Sequence, residues 1–135
     1  MNLKNAQEMV KEFQLAFGQP VADKPQMIAP ERQEVRHSWL VEEANELLAA
    51  ETLVDVADAI ADVIYIALGT AVEHGIDIER VFQIVQEANM AKLGPDGKPI
   101  YKEDNKIAKP EGWQPPEPKI AEEIQRQVKA HEETV

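Results

Sequence analysis

Residues 52–75 read TLVDVADAIADVIYIALGTAVEHG, an apolar run opened by Thr52 and closed by Gly75. Thr52 followed by Asp55 resembles a capping box, which satisfies the free N–H groups of a first helical turn, and glycine readily ends a helix. The run therefore predicts one helix through His74. It is apolar over so much of its circumference that no wide face suits solvent, so it belongs at the centre of a helix bundle. The segment 54–72 is long enough to cross a bilayer, but Asp55, Asp58 and Asp62 sit in its first half, and hydrocarbon strongly disfavours three carboxylates. A soluble protein without a membrane partner is expected.

Working outward, residues 5–17 predict a first helix whose mainly apolar side carries Met9, Val10, Phe13, Leu15 and Phe17, broken by Gly18 and Pro20. After a loop through Pro25, Pro30 suits the first turn of a long second helix reaching about residue 50. Its apolar residues Val35, Trp39, Leu40, Leu47 and Leu48 fall roughly at helical spacing, and its other face is acidic. Downstream, Asp77 can cap a fourth helix to about residue 93, burying Ile78, Val81, Phe82, Ile84 and Val85, with Gly94 ending it. Residues 94–118, GPDGKPIYKEDNKIAKPEGWQPPEP, suit an ordered loop or a small hairpin. A short polar helix follows Pro118, and the closing KAHEETV reads as a fraying tail. No internal repeat is present. The expectation is an all-α, four- to five-helix bundle forming a single domain over residues 1–135. Four helices do not obviously cover the central one, so a homo-oligomer, a dimer or a dimer of dimers, is expected.

At 135 residues the chain can bury one core but not two independent ones. The absence of cysteine excludes a disulfide framework, a zinc ribbon and a thiol nucleophile. The opening MNLKNAQEMVKEFQLAF has charges among its apolar residues and no small-residue cleavage site, unlike a secretory signal, so a cytoplasmic location is expected. A net charge of −11 repels polyanions, and the 14 basic residues form no aromatic-interleaved stripe, which argues against extended nucleic acid. A small polyphosphate remains compatible, because divalent cations held by carboxylates reverse the local sign.

Carboxylates carry the chemistry. Glu42, Glu43 and Glu46 share one side of the second helix, with the adjacent pair fanned about 100° apart. A solvated acidic face is the ordinary reading of such a cluster. Asp62 argues otherwise: it sits within IADVIYIAL, where an unpaired buried carboxylate is costly and needs a partner. Asp58 lies one turn earlier and Asp55 another, with no Lys or Arg between Glu51 and Glu79. Asp55 fits better as part of the helix cap. Two acidic stripes on consecutive helices make a hard-cation site, and magnesium, which prefers oxygen ligands, is the expected ion, with Mn2+ as a substitute.

From Arg36 to about Pro116 the chain resembles the all-α nucleoside triphosphate pyrophosphohydrolases, which include MazG-like enzymes, dimeric dUTPases and phosphoribosyl-ATP pyrophosphohydrolases. The hallmark Glu-Glu-x-x-Glu is present as EEANE, residues 42–46, and the Glu-x-x-Asp expected on the next helix is met by Asp62 within ADVIY. Ala59 stands where that second motif has glutamate, and Asp58, one residue earlier, is carried as its substitute. The resemblance implies a MazG-like fold and metal ligands Glu42, Glu43, Glu46, Asp58 and Asp62. It also implies metal-assisted hydrolysis of a nucleoside triphosphate, a deoxynucleotide in a house-cleaning role, to the monophosphate and pyrophosphate. Glu43 or Glu46 would receive the proton of the attacking water. NMAKLG and KPEGWQPP resemble the dUTPase and MazG-like branch, which makes Asn89, Lys92 and Lys109 phosphate-binding candidates. Arg36 corresponds to a basic residue ahead of the paired glutamates and is by that resemblance a substrate-binding candidate, as is Trp113, with surface ion pairing as the plain role of Arg36.

Phe17, Trp39 and Trp113 could stack on a base. Trp39 at helical spacing reads more simply as core, and Trp113 as an anchor for its Pro-rich loop. Glu34 and His37 form one Glu-x-x-His, but a di-iron bundle needs two, and neither His74 nor His131 supplies the second. Two other functions compete: phosphoribosyl-ATP pyrophosphohydrolysis, and a non-catalytic acidic helical module that binds a protein or magnesium alone.

Overall fold

A computed structural model describes residues 1–134. Five helices follow in order: α1 (Leu3–Ala16), α2 (Pro30–Ala49), α3 (Leu53–His74), α4 (Ile78–Met90) and α5 (Glu117–Thr134). The all-α expectation holds, and the chain forms two compact units, Met1–Ile78 with the stretch from Gln127 onward, and Glu79–Arg126.

In the first unit the caps set the helix ends. Asn2 and Asn5 satisfy one another reciprocally at the start of α1, each side chain accepting the other's backbone N–H at 2.8 and 3.2 Å. Pro30 occupies the first turn of α2. Thr52 Oγ1 accepts the Asp55 N–H at 3.1 Å to open α3. Gly75 closes it at φ 68°, where its N–H reaches the Ala71 and Val72 carbonyls. A Cβ there would also overlap the Lys24 carbonyl.

Helix α3 packs against both α1 and α2. Its enclosure is uneven: Leu68, Gly69, Ala71, Val72 and Glu73 are buried, whereas Leu53 and Val54 are 87% and 78% exposed. The burial expected from its composition is therefore met only over its last two turns, from Leu68 onward, since Ile64 and Tyr65 are still exposed. The apolar side expected for α1 reduces to Val10, while Met9, Phe13, Leu15 and Phe17 remain exposed. On α2 the aliphatic residues Val35, Leu40, Leu47 and Leu48 are exposed as well.

The interior of this unit is ionic as well as apolar. The Glu73 side chain is fully enclosed and receives Arg32 through two bonds, Nε at 2.7 Å and Nη2 at 2.8 Å, and Arg36 Nη1 at 2.9 Å. Arg36 also donates to the Ile66 carbonyl at 2.6 Å and to Thr70 Oγ1 at 3.1 Å. A Cβ at Gly69 would overlap both the Arg36 guanidinium and the Gln14 amide, so glycine is what lets Arg36 lie against α3. Burial pushes the Arg36 guanidinium down against the opposing pull of Glu73, whereas its hydrogen bond to Glu73 pushes Arg32 up. The expected surface ion pairing of Arg36 is thus a buried network.

In the second unit α4 ends three residues before the expected stop. Lys92 and Leu93 turn their N–H groups to carbonyls three residues back, and Gly94 then bonds the Lys98 carbonyl. The expected small hairpin is minimal: one antiparallel bridge, Tyr101 to Ile107, with Asn105 at φ 64° in the turn. Helix α5 is not short, running 18 residues through most of the predicted fraying tail. Positions 120, 123, 124, 127, 128, 130 and 131 are its less exposed ones, an amphipathic pattern diluted by polar residues. Gln127 also ties that helix to Asp77, bonding its N–H at 2.9 Å and its carbonyl at 3.0 Å. Among the described residues no helix is long and apolar enough to cross a membrane.

Candidate active site

Glu43 and Glu46, three residues apart on α2, meet Asp62 of α3, and one carboxylate oxygen from each lies within 4.8 Å of the others. Glu43 and Asp62 are half-buried and Glu46 is exposed. Glu43 Oε2 is buried without a hydrogen-bond partner. The Glu43 carboxyl is pushed up to about 7, first by a hydrogen bond with Glu46, then by burial, then by the negative charges of Glu46, Asp62 and Glu42. No cationic side chain pairs with any of the three among the described residues. Three convergent oxygen donors, one orphaned, fit a hard divalent cation.

The other two predicted ligands stand outside this triad. Glu42 is exposed and acts on Glu43 through its charge. Asp58 is exposed and lines a cavity of about 220 Å³ with Glu46, Asp55 and the buried Ala59. Asp55 contributes its backbone N–H to the helix cap, as expected, while its side chain faces that same cavity. Glu34 and His37 are exposed, and the described residues contain no histidine within a metal-binding group, so the di-iron reading has no site.

Next to the triad lies an aromatic cavity of about 440 Å³, lined by Phe13, Phe17, Trp39, Tyr65, Arg36 and Ile66 among others. Trp39 is one turn before Glu43 on α2, and Ile66 is one turn after Asp62 on α3, so these cavity and triad residues are about 6 Å apart along both helices. Trp39 is half-buried and forms a wall of this cavity, where the sequence suggested core. Its ring carries the Arg32 and Arg36 guanidinium groups at 5.0 and 5.1 Å. Phe13 packs on Phe17 at 4.5 Å and edge-on to Tyr65 at 5.7 Å. Tyr65, Arg32 and Glu73 were not singled out from the sequence, and Phe13 was read only as part of the apolar side of α1. Tyr65 could have been found as the aromatic residue one turn beyond Asp62, and Glu73 as a second acid inside an apolar run.

The remaining candidates gather in the second unit. Lys92 Nζ donates to Asn89 Oδ1 at 3.1 Å, and the Trp113 ring has the Lys92 and Lys109 ammonium groups at 5.5 and 4.8 Å. Trp113 Nε1 donates to the Ala88 carbonyl at 2.8 Å, which bears out its anchoring role.

The sequence pattern of phosphoribosyl-ATP pyrophosphohydrolases matches residues 10–89, from the middle of α1 to the last turn of α4, and includes every member of the carboxylate set. The chain belongs to this family. It is also similar to a solved structure from Exiguobacterium sp. 255-15, named as a candidate NTP pyrophosphohydrolase, with 34% identity over 93% of this chain and 97% of that one and a TM-score of 0.55. No curated protein matches the chain. The protein is thus a pyrophosphohydrolase of nucleotides with a MazG-like all-α fold. Its carboxylate triad is suited to the divalent metal that such enzymes use.

Proposed function

We propose that this pyrophosphohydrolase cleaves a nucleoside triphosphate, specifically a deoxynucleoside triphosphate, to the monophosphate and pyrophosphate in a nucleotide-pool cleaning role in the cytoplasm. The observation that carries the reading is the convergence of Glu43, Glu46 and Asp62 around an orphaned, buried oxygen. These three would hold Mg2+, with Glu42 and Asp58 completing the set and Mn2+ able to substitute. A divalent ion there would neutralise phosphate oxygens and lower the pKa of a bound water. Glu43 or Glu46 would accept the proton that the attacking water loses. The aromatic cavity takes the base against Trp39 and Tyr65, with Arg36 in its wall. Asn89, Lys92, Lys109 and Trp113 serve substrate binding. One catalytic domain comprising the whole chain, assembled as a dimer or a dimer of dimers, is part of the same reading. The exposed Leu47, Leu48, Leu53 and Val54 support the assembly.

Release of pyrophosphate from a panel of ribo- and deoxynucleoside triphosphates with Mg2+ tests the reading. Turnover of at least one deoxynucleotide, lost in Glu46→Gln, is expected. Inactivity on every nucleotide would contradict it. Phosphoribosyl-ATP belongs in the panel because the family match favours that substrate too; preference for it would replace the pool-cleaning role with a biosynthetic one.

A further inference from the structure

Stacking on the rings of the aromatic cavity does not choose among bases, since every base has a π-face, so selectivity has to come from a polar group in the wall. Gln14 supplies one that the fold leaves unused. It sits on α1 at 2% exposure and lines the cavity together with Phe13 and Arg36. Its Nε2 donates to the Pro20 carbonyl at 2.7 Å, and because a carbonyl can only accept, the amide can face it only with its nitrogen. Oε1 is thereby turned the other way, towards α3, where it and the Arg36 guanidinium lie against the place a Gly69 Cβ would take. This oxygen accepts no hydrogen bond among the described residues, and unlike Glu43 Oε2 it is not sealed from solvent. Arg36 does not spend it: Nε, Nη1 and Nη2 go to Thr70, Glu73 and the Ile66 carbonyl. The backbone is tied down as well, with the Gln14 carbonyl accepting the Gln19 N–H at 2.8 Å. A fixed amide oxygen left without a donor in an enclosed, aromatic setting is costly unless a ligand N–H meets it.

We propose that Gln14 is a specificity-determining residue of the cavity: its Oε1 accepts an N–H from the edge of the base that the rings hold. The common bases each present such an N–H, and a base with C–H in its place leaves the oxygen unpaired. The Pro20 bond sets the direction of the acceptor, so the loop after α1 takes part in recognition through that carbonyl. Taking the ligand to be a nucleotide rests on the function proposed above.

The test compares each common deoxynucleotide with an analogue whose edge N–H or amino group is replaced by C–H, as triphosphates in steady-state kinetics with Mg2+ and as monophosphates in metal-free calorimetry. For the preferred base, wild type should favour the parent nucleotide about 30-fold in kcat/KM. Gln14→Met, similar in length but without the amide, should shrink that preference to about threefold or less. Gln14→Glu, which keeps an acceptor oxygen, should retain most of it. Circular dichroism and denaturant unfolding check that each variant folds, and if Gln14→Met does not, the wild-type ratio and Gln14→Glu carry the test. An amide with only a structural role would lower stability and the turnover of parent and analogue alike, so an unchanged preference in folded Gln14→Met would overturn the proposal. Turnover by the wild type with no preference would also overturn it, while leaving the proposed function intact. If no nucleotide is turned over, the proposed function fails and the monophosphates decide the subsite alone: the same preference in binding would support it, and equal or absent binding would sink it.

Discussion

Helix α3 brings two acids into packed surroundings, Asp62 and Glu73, about 16 Å apart along its axis, and the protein treats them in opposite ways. Glu73 is fully enclosed and neutralised by Arg32 and Arg36 from α2. Asp62 meets two more acids from the same α2, Glu43 and Glu46, and no ion-pairing cation among the described residues. The same pair of helices thus supplies its own positive charge at one end and, at the other, a place for one from solution. The structural ion network and the candidate metal site differ in what α2 carries opposite α3.

The comparison can be broken at either end. The largest effect is expected at the neutralised one: Glu73→Leu leaves two arginines facing a space they cannot ionise against, and should cost about 3–5 kcal/mol in denaturant unfolding. A loss below 1 kcal/mol would mean that the network is not structurally important. At the other end Asp62→Asn should lower kcat roughly 100-fold or more, since charge stabilisation in the transition state is lost, while far-UV circular dichroism stays unchanged. A variant that unfolds would instead make Asp62 a structural residue.

Much of this was legible in the sequence, and the reasons are local. Thr52 and Gly75 bound α3 because caps are short-range chemistry, and EEANE marks the triad because helical spacing alone puts Glu43 and Glu46 on one side. Arg36 and Glu73 were not read as partners, because 37 residues separate them and only the packing of α2 on α3, with Gly69 leaving room, brings them together. The length of α5 was missed because its apolar positions Ile120, Ile124 and Val128 are outnumbered by charged and polar residues, two of which, Glu123 and Gln127, share the less exposed side. Glu42 matched the motif and Asp58 was carried in place of its missing glutamate, yet both lie outside the triad, since spacing alone does not fix where a side chain reaches.

A smaller effect sharpens the account of the Arg36 seat. Gly69→Ala should destabilise by about 1–3 kcal/mol, because its Cβ must displace the Arg36 guanidinium or the Gln14 amide. The same substitution in an Arg36→Met background should cost less, and equal costs would show that Arg36 does not occupy that space.

The gentlest probe is pH. Glu43 is raised from 4.5 to about 7 in the metal-free fold, so between those values the folded protein holds a proton that the unfolded chain has released. Metal-free stability should therefore rise as pH falls through 7 towards 4.5, and level off below that as the unfolded chain also takes up the proton. Glu43→Gln should remove this slope, and a slope that persists would assign it to another group.

The most direct measurement is calorimetric titration of Mg2+, with Mn2+ in parallel, into wild type and Asp62→Asn at pH 8 and pH 6, in two buffers of different ionisation enthalpy. The account predicts saturable binding by the wild type, weaker at pH 6 and accompanied by proton release near pH 7, and lost in Asp62→Asn. Equal affinity in the two proteins, or no binding by the wild type at either pH, would contradict a metal centre at Glu43, Glu46 and Asp62.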